Sequence, residues 1–80
     1  MTDSIEERVR RIVADVLGLP YEQITSSTSH KSVAEWDSMG MINMAMALEA
    51  EFQVTLSIED VAKLVSVQAV TEIVRQGGGR

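Results

Sequence analysis

The chain has 80 residues, no cysteine, one histidine and a formal net charge of −5, which is the size of one small domain. A domain this small has no room for a deep enclosed site with several catalytic groups. Without cysteine it also has no disulfide framework, thiol nucleophile or Cys-ligated zinc. The acidic balance argues against nucleic acid and anionic lipid as partners, and one Phe, one Tyr and one Trp make a poor base-stacking platform.

The opening MTDSIEERVRR lacks the apolar centre of a signal peptide. No run approaches the roughly 20 apolar residues that a membrane helix needs. Both features, with the absence of cysteine, fit a reducing cytoplasm and no membrane. The first helix is expected from about Ser4 to Leu17. Ser4 and Glu7 stand at capping-box spacing, and Ile5, Val9, Ile12 and Val16 make one inward stripe. Gly18 and Pro20 end it, since Gly accepts the left-handed position after a helix and Pro cannot continue the ladder.

Tyr21 to Trp36 reads as a long loop, with a short helical turn near Tyr21 to Ile24. Its TSSTSHKS stretch is rich in side chains that compete for backbone hydrogen bonds. A loop of about 16 residues in so small a domain is often functional. Tyr21, Ile24 and Val33 are expected to pin it to the core, with Trp36 as a half-buried anchor. His30 reads as a solvated loop residue.

The second helix is expected to follow Asp37 and run to about Phe52. Met41, Met44, Ala45, Leu48 and Phe52 form its core stripe. Met39, Ile42 and Met46 form a second apolar stripe more than about 100° away, bordered by Asn43 and Glu49. Such a stripe is either covered by the long loop or left for a partner. Methionine adapts to imperfectly shaped surfaces, which favours a partner. Asp37 suits the N-cap. Ser38 then occupies the first helical position, where N–H groups and the helix dipole favour an attached phosphate. Taken alone, Asp-Ser is most simply a capping pair. Ser57 and Asp60 cap a short third helix, about Ile58 to Leu64. Ser66 caps a fourth, about Val67 to Gln76, with Val67, Val70, Ile73 and Val74 inward. Residues 1–76 form one domain and 77–80 a flexible tail. The fold class expected is all-α: a small four-helix bundle with a long connection between helices one and two.

With these elements in place, the sequence resembles the acyl carrier protein family, including the peptidyl and aminoacyl carrier domains. IEERVRRIV is similar to the family's first helix. DSMGMINMAMALEAEF is similar to its Asp-Ser motif and recognition helix, and LSIED and VSVQAV to its third and fourth helices. The resemblance covers about Ile5 to Val74. It implies that Ser38 receives 4′-phosphopantetheine from coenzyme A through a separate phosphopantetheinyl transferase, and that Asp37 is the motif acid near that enzyme's metal site. The thiol of the arm would carry acyl or aminoacyl groups as thioesters, and the chain itself would catalyse nothing. Met39, Ile42, Met46 and Glu49 match positions that partners touch, and the core stripe of helix two matches the lining of a cleft that shelters cargo in some members. The partners implied are loading and biosynthetic enzymes of fatty-acid, polyketide or related pathways with basic docking patches, acting on a monomer through a mobile attachment loop. The alternative is a carrier-like helical interaction module without a prosthetic group. Ser38 weighs against it, because a structural cap needs no second hydroxyl beside Asp37.

The sequence also departs from the fatty-acid-synthesis members. Gly40, Asn43, Ile58 and Ala62 stand where acidic residues are common. Trp36 before Asp37, with Gly40 after the serine, looks more like stand-alone carriers of specialised pathways. A serine hydrolase is disfavoured because no G-x-S-x-G elbow accompanies the single histidine. No His and carboxylate pair has the i, i+3 or i+4 spacing of a helical metal site. The diglycine near the end suggests a conjugation tail only by composition, since proteins of that type are strand-rich.

Overall fold

A computed structural model describes residues 4–77. Four α-helices and one 3₁₀ turn follow in order: α1 (Ile5–Leu17), the turn Tyr21–Gln23, α2 (Ser38–Phe52), α3 (Ile58–Ala62) and α4 (Val67–Arg75). The all-α bundle is the expected one. α1 packs against α2 and α4, and α3 packs on α2.

The helix starts are set by short polar side chains. In α1, Ser4 Oγ accepts the Glu7 N–H at 3.1 Å, and the Glu7 carboxylate accepts the Ser4 N–H at 3.0 Å. The same reciprocal pair links Ser57 and Asp60 ahead of α3, at 3.1 Å in both directions. Ser66 Oγ caps α4 through the Ala69 N–H. Each arrangement satisfies N–H groups that the helical ladder leaves unpaired. α1 ends at Gly18, whose φ of 70° suits a residue without Cβ. α2 ends at Gln53 in the same left-handed region, with φ of 56°.

The inner face of α1 is rotated from the expected stripe. Val9, Val13, Ala14 and Leu17 are buried, while Ile5, Ile12 and Val16 are half-buried at its flank. Two neighbours, α2 and α4, cover α1, so the buried face is broader than one stripe and centres between them. In α2, Met44, Ala45 and Leu48 are in the core as expected. Met41 and Phe52 lie at its edge, and the Arg8 guanidinium sits 4.5 Å above the Phe52 ring centre. α3 ends at Ala62 rather than Leu64, and α4 at Arg75 rather than Gln76. Within α4, Val67, Val70, Ile73 and Val74 are buried as expected.

The long connection is tied to the rest of the bundle at several points. Ile24 is buried, and Tyr21 and Val33 are half-buried against the core. The stretch Thr28–His30 pairs with the junction between α3 and α4. The Val67 N–H donates to the Thr28 carbonyl and the His30 N–H to the Val65 carbonyl, both at 2.9 Å, with a β-bridge between Ser29 and Ser66. Trp36 is fully interior rather than half-buried, at 3% exposure. Its indole N–H donates to the Leu64 carbonyl at 2.9 Å, so the one polar atom of the ring is satisfied. After α4, the Gly77 N–H donates to the Val74 carbonyl. Residues 78–80 of the expected flexible tail lie outside the described residues.

Candidate functional site

The start of α2 is fixed from three sides. Asp37 is the N-cap, and its carboxylate accepts the Gly40 N–H at 2.9 Å. Its carbonyl accepts the Met41 N–H at 2.9 Å, the first bond of the helical ladder. Trp36, one residue earlier, is anchored in the core. The third constraint is Gly40. A Cβ there would lie 3.1 Å from the Glu35 carbonyl oxygen and 3.2 Å from Leu17 Cδ2. The first turn of α2 thus presses directly onto the loop backbone and onto the end of α1. Gly40 is therefore a packing position, not an exposed place from which a docking acid is missing.

Ser38 follows as the first residue of α2 and is exposed. Its hydroxyl stands where the N–H groups of the opening turn have no partner in the helix, the positive end of the peptide dipole. It borders an open cleft of about 480 Å³ between α2 and α3, lined besides Ser38 by Met41, Ile42, Ile58, Val61 and Ala62. Every one of these five side chains is apolar. Of the core stripe of α2, Met41 lines this cleft, while Met44 and Leu48 are buried in the interior.

The second stripe is open and not covered by the loop. Met39 is 62% exposed, Met46 58% and Ile42 47%, and Ile58 of α3 beside them is 89% exposed. Glu49, placed by sequence with this stripe, is half-buried and its carboxylate accepts the Leu56 N–H at 2.9 Å. It shapes the α2–α3 connection. Glu51, in the last turn of α2, is paired with Arg8 at 2.7 Å.

Sequence reasoning missed two contributors. Ile58 continues the apolar surface from a second helix, which no single-helix wheel can show. Gly40 carried a signal, since glycine inside a helix is costly unless a close approach requires it. His30 lies on the exposed loop with Nδ1 3.1 Å from the Val65 carbonyl, and so serves the loop attachment. Among the described residues, no group of three or more His, Asp or Glu could hold a metal ion, and no helix is long and apolar enough to cross a membrane.

A family model described as a phosphopantetheine attachment site matches residues 7–74. The match runs from the first turn of α1 to the last turn of α4, with Asp37 and Ser38 inside it. Domains of this family carry a covalently attached 4′-phosphopantetheine group. They are not catalytic themselves and are modified by a phosphopantetheinyl transferase. The residues at the head of α2 fit such a group: an exposed hydroxyl at a helix N-terminus, held rigidly, with apolar surface next to it. On a match spanning nearly the whole four-helix bundle, the chain belongs to the phosphopantetheine-attachment family of carrier domains.

Proposed function

We propose that Ser38 is the attachment residue and that the chain carries acyl or aminoacyl groups between enzymes of a biosynthetic pathway. The observation that carries this reading is the position of Ser38: exposed, first in α2, directly after the N-cap and beside an apolar cleft. Its oxygen would form the phosphodiester, and the N-terminal N–H groups of α2 favour the negative charge placed next to them. When bound, the group supplies a terminal thiol for thioester formation, chemistry that a chain without cysteine cannot supply itself. Asp37 keeps its carboxylate on the Gly40 N–H, which fixes the backbone of the turn that carries Ser38. Cysteine-free composition agrees with a reducing cytoplasm, and the exposed apolar side chains of α2 agree with serial visits to partner enzymes.

The test is intact mass after incubation with coenzyme A and broad-specificity phosphopantetheinyl transferases. The native chain is expected to gain one phosphopantetheinyl group, and Ser38→Ala none. No gain with any transferase would leave a carrier-like interaction module without a prosthetic group.

A further inference from the structure

Resting on the attachment reading above, we propose that Met39 and Met46 form a reversible oxidation site beside Ser38. A peroxide converts their thioethers to sulfoxides and thereby slows reaction at the Ser38 hydroxyl. The chain has no cysteine, so methionine carries all of its sulfur. Four methionines stand on α2, at positions 39, 41, 44 and 46, and the fold grades their access. Met39 is 62% exposed and Met46 58%, Met41 is half-buried, and Met44 is enclosed at 0%. Helix geometry sets this grading. Met39 and Met46 are seven residues apart, so they lie about 20° from one another around the axis, whereas Met44 is about 140° from Met39 and is in the core.

The oxidation needs no group from the protein. A sulfur lone pair attacks one peroxide oxygen, and the S–O bond forms as the O–O bond breaks. The displaced oxygen takes up the remaining peroxide proton and leaves as water. Sulfur is oxidised by two electrons and the peroxide is reduced by two. The sulfoxide is polar, and sulfoxide reductases specific for each epimer return it to the thioether. At Met39 and Met46 the new oxygen is hydrated by solvent, so the bundle keeps its packing. At Met44 the same oxygen would enter an apolar core without a donor, which the folded state resists. The exposed pair thus changes the surface while the fold survives. Met39 is the residue next to Ser38, so an enzyme that reaches the hydroxyl passes over it.

The experiment treats the full apo chain with hydrogen peroxide under native conditions, so that no arm thiol competes. Peptide mapping with fragmentation locates the added oxygens. The rate kcat/KM is then measured for phosphopantetheinyl transfer from coenzyme A by a broad-specificity transferase. Within α2, Met39 and Met46 are expected to oxidise at least about tenfold faster than Met44, with circular dichroism unchanged. Transfer is expected to fall by about fivefold, mostly through KM, and to recover after treatment with the two reductases. A Met39→Leu/Met46→Leu chain, compared with its own untreated sample, is expected to lose no rate to peroxide, since leucine keeps the volume without the sulfur. Three results overturn the inference alone: Met44 oxidised as fast as the exposed pair, a doubly oxidised chain reacting at the untreated rate, or an equal loss in the leucine chain. In each case the untreated chain is still modified. Absence of transfer to the untreated chain overturns the attachment reading and this inference together.

Discussion

Gly40 shows how one small residue sets how closely the first turn of α2 packs on α1. The sequence reading treated it as a place where an acid is missing from a docking face. In the structure it is buried, with the Glu35 carbonyl and Leu17 against it. Alanine would gain up to about 1 kcal/mol of helix propensity. It would also force a Cβ into contacts of 3.1 and 3.2 Å, one with backbone that cannot step aside, and overpacking of this kind costs about 1–3 kcal/mol. Gly40→Ala is therefore expected to destabilise by about 1 kcal/mol net in urea unfolding. A variant as stable as the native chain, or more so, would show that the first turn of α2 is not pressed against α1. Ser38 and Asp37 were legible without the fold because capping chemistry is local: a cap needs only its own turn. The burial of Trp36 was not legible, since its partner, the Leu64 carbonyl, is 28 residues away.

Helix starts read well from sequence for the same reason. Ser4, Asp37, Ser57 and Ser66 all cap the helices assigned to them. Helix faces read less well. The inner face of α1 turned toward Val13 and Leu17 because two helices cover it, information that a wheel does not contain. The second stripe of α2 was legible as a stripe, and the structure decided between the two things it could be. The end of α2 carries a further consequence. Gln53 occupies the left-handed region at φ 56°, which costs a residue with Cβ roughly 1–2 kcal/mol relative to a right-handed position. Gln53 is exposed, so Gln53→Gly removes that strain with little lost contact. The variant is expected to be about 0.5–1 kcal/mol more stable by urea denaturation, with unchanged modification at Ser38. Equal or lower stability would mean that the Gln53 side chain contributes more than its backbone costs.

The whole molecule holds its long loop by pairing it with the α3–α4 junction. Thr28, His30 and Trp36 each bond within Leu64–Val67, so the segment leading to Ser38 and the segment leading into α4 are one unit. The length and polarity of the loop marked it as unusual, yet nothing in TSSTSHKS names its partner. Backbone hydrogen bonds across dozens of residues leave no side-chain pattern. If Ser38 bears the arm as proposed, the arm leaves from a segment tied to the core through Trp36. The placing of the acids of α2 is likewise a property of the whole: Glu51 pairs with Arg8 of α1, and Glu49 accepts the Leu56 N–H of the next loop. The most direct test of this picture is fragmentation mass spectrometry of the protein after reaction with coenzyme A and a phosphopantetheinyl transferase. The added group should map to the peptide containing Asp37 and Ser38, on the serine oxygen. An unmodified peptide there, or the group located on any other residue, would contradict it.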